Sequence, residues 1–450
     1  MSLSPAASRF TPPPTVSADW ATTARLVRAT GFGATGKAVD AAAAVGTATY
    51  LRKTLAADPA RDAGALATPP PEFEILPPLG KAADLGARQA RSKEISQQTL
   101  ELTSWWLRRM AAVEQPFVER LTFYWHHHFA TSNAKVRNAR WMLAQNQKLR
   151  SLGRGNFSAL AAAMLTDAAT LFWLDGQRNV AGAPNENLAR EFLELFALGQ
   201  GNGYTEQDVR EGARALTGWR IAADGSTAVR PALHDTGTKT LLGVTGDLDE
   251  NAFCDIALAQ PAAARHLTGR IYGQWVSDHA PTAAAVQTGV TGYGSSRSVS
   301  GLLAALLGSP DFAAAVGTRV IGPVEWLVGA VRALRIPLEK DSTARAMVTV
   351  LRGLGQQPFL PPNVSGWPTG AAWLSTAAAD LRMSTSMSLA AKADLDVIST
   401  ASQAERIAAT GYLLGIGRWS DRTAAVLKTF VADPRRLVTV ALNSAEYLTC

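Results

Sequence analysis

The stretch Asn185-Glu-Asn-Leu-Ala-Arg-Glu-Phe-Leu-Glu-Leu-Phe-Ala-Leu-Gly199 decides how the chain is read. At about 100° per residue, Asn187, Arg190, Glu191 and Glu194 share one arc of a helix, and Leu198 joins it. The rest of the surface is apolar: Leu188, Ala189, Phe192, Leu193, Leu195, Phe196 and Ala197. A helix apolar over so much of its circumference is embedded in protein. Its charged arc is therefore either a narrow strip to solvent or the wall of an interior polar site.

Outward from there the chain reads as helix after helix. Alanine runs such as Ala41–Ala44 and Ala159–Ala163, with few strand-like alternations, favour a mainly α protein. The reading is a single large multi-helix domain over 20–450, with long irregular loops, at most a short β-hairpin, and a disordered tail over 1–19. Helices are expected over 20–30, from Lys37 to Leu55, and as three between Lys81 and Arg150. Further helices are expected from Phe157 to Leu165, after Pro184, and from Thr205 to about Thr217. Thr205 with Asp208 reads as a capping box. Asp58 to Gly80 reads as a Pro-rich, surface-lying connector. Asp224 to Asp249 reads as loop with room for a hairpin, 287–301 as a Gly/Ser loop, and Pro358 to Pro368 as a further loop. Leu302–Phe312 and Leu437–Tyr447 echo each other as helices running into Ser-x-acid-aromatic.

Composition narrows the function classes. Hydrophobic residues make up 47% and charged residues 18% of the 450, ordinary for a soluble globular chain with a sizeable core. Cys254 and Cys450 form neither a disulfide framework nor a metal spacing. The first twenty residues lack the apolar stretch of a secretory signal, so the cytoplasm is the default expectation, with the periplasm or export left open. No apolar run is long enough to span a membrane. The net charge of +7 concentrates between Arg88 and Arg154, which hold 12 Lys and Arg against 4 Asp and Glu. Such a patch suits a solvated basic face, or one that attracts nucleic acid, anionic lipid or an acidic partner; as a function, nucleic-acid binding ranks third, after an enzyme and a scaffold.

Gly31-Phe-Gly-Ala-Thr-Gly-Lys37 matches both G-x-G-x-x-G and the start of a P-loop. Both motifs need a preceding strand, where this chain has a helical pattern, and Ala38 stands where a P-loop needs Ser or Thr. Helix capping by glycine accounts for the turn.

The residues with chemical reach lie elsewhere. Phe123-Tyr-Trp-His-His-His-Phe129 holds three of the six histidines. In mid-helix His126 and His128 point about 200° apart; where a helix unwinds they face the same way and suit a divalent metal. The competing reading is histidines stacked in an aromatic core. Glu186, Arg190 and Glu194, spaced i, i+4, i+8, form an ion-pair ladder. Glu191 lies off that ladder, and Arg214 on the next helix is placed to answer Glu191 or Glu194. His234-Asp235, with Lys239 close behind, offers an acid/base pair or a third metal ligand. The expectation is one polar site. His126, His128 and His234 would hold a metal there, Glu191, Glu194 and Asp235 would act as acids or bases, and Arg190, Arg214 and Lys239 would orient them. A metal-dependent hydrolase or oxidoreductase would follow. The alternative is a non-enzymatic scaffold or maturation partner, with the acids and arginines as an internal network. No G-x-S-x-G, H-E-x-x-H or cysteine-based zinc pattern occurs.

Taken together, several stretches carry a resemblance: Arg28-Ala-Thr-Gly-Phe-Gly-Ala-Thr35, Glu119-Arg-Leu-Thr-Phe-Tyr-Trp-His-His-His-Phe-Ala-Thr131, Pro184-Asn-Glu-Asn-Leu-Ala-Arg-Glu191 and Ala213-Arg-Ala-Leu-Thr-Gly-Trp219. His234-Asp235, Pro323-Val-Glu325, Gly355-Gln356 and Pro361-Pro-Asn-Val-Ser-Gly-Trp-Pro368 extend it. The chain resembles the bacterial family called domain of unknown function 1800, from about residue 20 to the C-terminus. That family usually has Trp-His-Asn-His-Phe; here His127 takes the Asn place. The resemblance assigns no reaction. It implies a partner, because members are often encoded beside proteins similar to sulfatases and alkaline phosphatases.

Overall fold

The structure, a computed structural model, describes residues 17–76, 79–80 and 84–450. The expected disordered tail lies outside the described residues as far as residue 16. From Ala18 the chain is helical, because the Ser17 hydroxyl accepts the N–H of Trp20 at 3.1 Å and caps Ala18–Thr30.

The architecture is mainly α. Its only β elements among the described residues are two hairpins, Trp219–Ile221 with Thr227–Val229 and Lys239–Leu241 with Val244–Gly246. Most helices are short, and helices of this length hold only when packed. Caps set their ends: Asn156 opens Phe157–Leu165, and Thr205 and Asp208 exchange both bonds of the expected capping box. The echoed segments share this device, with Ser309 capping Pro310–Ala314 and Ser444 capping Ala445–Leu448.

The most deeply embedded helix is Phe117–His128, every residue of which is buried. It packs on Ala139–Leu152 and on the 28-residue helix Leu85–Ala112. One contiguous apolar cluster surrounds it and draws residues from Leu26 to Cys450.

Several boundaries differ from expectation for identifiable reasons. The helix from Lys37 to Leu55 is two, Gly36–Val45 and Thr47–Leu55, because Gly46 turns between them at φ 79°. The expected Gly/Ser loop over 287–301 is mostly helical, Ala283–Tyr293 and Val299–Leu307. Its glycines mark a helix crossing: a Cβ on Gly292 would stand 2.6 Å from the carbonyl oxygen of Gly301. The Pro-rich connector is stitched down, since the Asp62 carboxylate accepts the N–H groups of Glu114 and Gln115 at 3.1 and 2.7 Å. Phe73 within it is buried.

Candidate functional site

The stretch from Asn185 is not one regular helix. Asn187–Glu191 is α-helical, and Phe192–Ala197 widens into a π-helix, with Leu198 N–H donating to the Leu193 carbonyl at 2.9 Å. Side chains take up the carbonyls at its end. Nε2–H of His266 donates to Leu195 at 2.9 Å, Nε2–H of His128 to Phe196 at 3.0 Å, and the Asn202 amide to Leu198 at 3.0 Å. These are C-terminal caps, two built from distant histidines and one from Asn202 four residues on.

The histidines therefore hold the fold together. The helix continues through His128, so His126 and His128 sit in regular helix and diverge. His126 Nε2 accepts the N–H of Phe359 at 2.9 Å, which occupies the lone pair a metal would need. His127 Nδ1 accepts the N–H of Trp367 at 3.1 Å. Burial pushes His126 and His127 down to about 3, Arg270 adding to the effect at His127, and lowers His128 well below the ordinary value. All three are neutral at neutral pH. The ring nitrogens expected to gather at a metal are spread over separate partners: the Phe359 N–H at His126, the Phe196 carbonyl at His128 and the Thr217 carbonyl at His234. Among the described residues no three His, Cys, Asp or Glu side chains are placed to share a metal ion.

The acids of the ladder pair with arginine. Arg190 bonds Glu186 at 2.9 Å and Glu194 at 3.5 Å, and takes Glu206 with two bonds of 2.7 and 2.9 Å. Arg214 answers neither Glu191 nor Glu194. It bonds Asp235 at 2.8 and 3.2 Å and Glu211 at 2.8 Å, and its hydrogen bonds hold the Asp235 carboxyl below the usual range. His234 Nδ1–H donates to the Thr217 carbonyl at 2.9 Å, while the Thr217 hydroxyl accepts the Asp235 N–H. The Lys239 ammonium is buried and meets Asp247 at 3.0 Å.

The structure thus brings Arg214, His234 and Asp235 together around Thr217, and Arg190 with Glu194 along one helix. Neither group shares a partner with His126 or His128. Glu191 stands apart: it is half-buried with no ion pair or hydrogen bond among the described residues. Burial raises its pKa first, Glu194 adds to the rise, and Arg190 opposes it.

The larger ionic constructions lie on the central helix. Glu119 accepts from Trp106 at 2.8 Å, from Arg109 at 2.7 Å and from Arg150 at 2.8 and 2.7 Å. Burial alone would raise its carboxyl, but Arg150 and Arg109 more than reverse this and leave it at about 2. The next residue, Arg120, meets Glu325 at 2.7 Å, and Arg319 grips the same carboxylate at 2.9 and 2.7 Å. Two buried Arg–Glu–Arg triads therefore hang from neighbouring positions. The sequence signal was present: Glu119 and Arg120 are adjacent charges inside an otherwise apolar and aromatic run.

This also accounts for much of the basic excess between Arg88 and Arg154. Arg109, Arg120 and Arg150 are buried in the triads. Arg108, Lys135 and Lys148 pair with Asp341, Asp175 and Asp167, and Arg154 donates to the Ala57 carbonyl. Arg88, Lys93, Lys135, Arg137 and Arg140 are the exposed members of the set.

Cavities complete the geometry. One of about 30 Å³ lies beside the second triad, with Arg120, Tyr124, His127, Gln274 and Arg319 in its wall. A groove of about 820 Å³ runs past the Gly31–Lys37 turn, and another of about 470 Å³ past Trp105. None of the nine expected site residues lines any of these three.

Fold and site together define a mainly helical protein whose central helix carries two buried arginine–carboxylate triads. The chain belongs to the family described as protein of unknown function (DUF1800), which it matches over residues 25–449. No curated protein matches it, and no solved structure does. No helix among the described residues is long and apolar enough to cross a membrane.

Proposed function

We propose that the chain is a non-enzymatic helical scaffold, with 20–450 acting as one domain that supports a partner protein. The observation that carries this reading is that the expected catalytic groups are already engaged. Glu194, Asp235, Arg190, Arg214 and Lys239 pair with one another or with Glu186, Glu206, Glu211 and Asp247, and none lines the three cavities described above. A metal-dependent hydrolase or oxidoreductase would need several ligands gathered together. Nε2 of His126 and Nε2 of His128 are engaged with backbone groups, and the unpartnered Nδ1 of His128 is enclosed by aromatic rings, with no group of three candidate ligands around it among the described residues.

One observation favours a second reading. The unpaired Glu191, with its raised pKa, suits a general acid or base acting at the surface.

Co-expression separates the two. The partner class the family resemblance implies, a co-encoded sulfatase- or phosphatase-like protein, is produced alone, with this chain, and with its Glu191→Gln variant. The scaffold reading expects the partner's folded yield to rise equally with both forms. A yield no higher than that of the partner alone overturns it. A rise lost only in a well-folded Glu191→Gln variant supports the acid/base reading.

A further inference from the structure

We propose that the cavity walled by Arg120, Tyr124, His127, Gln274 and Arg319 is a binding site for one small monovalent anion, of halide or formate size. At about 30 Å³ it exceeds the space one water needs and falls far short of a drug-sized pocket. Its wall holds three buried donors with no partner: Nε of Arg120, Nε of Arg319 and the Tyr124 hydroxyl. His127 adds a fourth donor, because its Nδ1 accepts from Trp367 and its hydrogen therefore sits on Nε2. Gln274 turns its oxygen to Arg120 at 3.2 Å, which neutralises none of the charge.

The local charge points the same way. Arg120 and Arg319 share one carboxylate, Glu325, on which Arg28 also acts. Arg25 adds a fourth cation beside Arg319. Arg270 acts on Tyr124 and His127 of the wall as a fifth cation. Against these stand Glu325, a negative group at Cys450 that acts on Arg120 and Arg319, and Asp278 at the exposed mouth, whose carboxylate accepts the Val320 N–H at 2.7 Å. Positive charge is left over. A water would satisfy the donors but not that charge; a monovalent anion satisfies both. Buried cations without a counter-charge are costly, so the anion stabilises the folded state it binds.

The test is thermal unfolding at constant ionic strength, with sodium gluconate as the filler salt. Gluconate is monovalent and many times larger than a halide or formate, and it avoids the general stabilisation that sulfate would add. Chloride, bromide and formate are titrated in separate arms, so that halide and carboxylate sources are told apart. The expected result is a saturable rise in melting temperature with at least one of them. Tyr124→Phe removes a donor that has no partner in the chain, so it folds, and it weakens the apparent affinity about tenfold. Crystals grown in sodium bromide or sodium formate place the titrated ion between Arg120 and Tyr124. Equal melting temperatures in all salts overturn the proposal. So does a rise unchanged in Tyr124→Phe with no ion in the cavity.

Discussion

Nε2–H of His128 meets the carbonyl oxygen of Phe196 at 3.0 Å, joining the most buried helix of the chain to the end of its π-helical segment. The ring is also enclosed by Tyr124, Trp125, Phe129 and Phe157. His128→Ala removes both the packing and the cap, and is expected to lower the unfolding free energy by about 3–5 kcal/mol. His128→Phe restores an aromatic ring without the donor. Its urea midpoint should fall between those of His128→Ala and wild type; a wild-type value would mean that the cap contributes nothing.

The same burial makes the fold acid-sensitive. Histidine in the unfolded chain takes up its proton near 6.5, whereas His126 and His127 in the folded chain wait until about 3. Below pH 6.5 the unfolded state therefore binds protons that the folded state does not. Stability is full above 6.5 and falls as pH drops towards 3, by roughly 1.4 kcal/mol per pH unit for each of the two. Urea unfolding at pH 7.5 and 5.5 measures this. Equal stabilities at the two values would show that these histidines are not excluded from solvent.

Much of the fold was legible because capping and periodicity are local. Asn156, Thr205 and Asp208 announce their helix ends in sequence, and the helix Phe157–Leu165 lies where its pattern puts it. The crossing of Gly292 with Gly301 was not legible, since a glycine that lets two helices touch reads like a glycine that breaks one. The site was half legible. The ladder through Arg190 forms as its spacing requires, but Arg190 also reaches Glu206 across a turn. Arg214 takes Glu211, three residues back on its own helix, as spacing allows, but also Asp235, 21 residues on and brought up by the loop after Pro231–Leu233, which no spacing rule reports. The π-helix was invisible because a wheel drawn at one fixed angle assumes the geometry that it departs from. Histidines with metal-like chemistry turned out to be engaged with backbone groups that lie 68 and 233 residues away.

Glu119 and Glu194 are both bonded to arginine, yet their substitution should differ several-fold. Glu119 is buried between Arg109 and Arg150, so Glu119→Gln leaves two enclosed cations facing an amide. A loss of about 3–5 kcal/mol is expected. Glu194 meets Arg190 at 3.5 Å on a partly exposed surface where Glu206 already serves that arginine. Glu194→Gln should change stability by no more than about 0.5 kcal/mol. Denaturant titration of the two variants side by side tests the ranking, and comparable losses would contradict it.

Glu191 should behave in the opposite sense to a paired acid. Its raised pKa means that the folded chain holds the carboxyl proton more tightly than the unfolded chain does. Ionisation at neutral pH then works against folding, and the penalty grows as pH rises from the ordinary value through the raised one. Glu191→Gln removes the charge. Its melting temperature at pH 7 should equal or exceed that of wild type, and the gap should close at pH 4. A clear loss at pH 7 would reveal a partner for this carboxylate.

Two glycines separate backbone strain from steric approach. Gly46 and Gly366 both have left-handed φ, 79° and 89°. A Cβ on Gly46 meets nothing within 4 Å, so Gly46→Ala costs only the strain of that backbone, about 1–3 kcal/mol. A Cβ on Gly366 would stand 2.3 Å from Nδ1 of His127 and 2.6 Å from its carbonyl oxygen. Neither can yield easily: the ring accepts the Trp367 N–H, and the carbonyl belongs to the buried helix. Gly366→Ala therefore adds displacement of the 358–368 loop to the same strain. It should lower stability by at least about 2 kcal/mol more than Gly46→Ala. Urea unfolding of the pair decides the point, and equal losses would mean that the loop can retreat from His127 without cost.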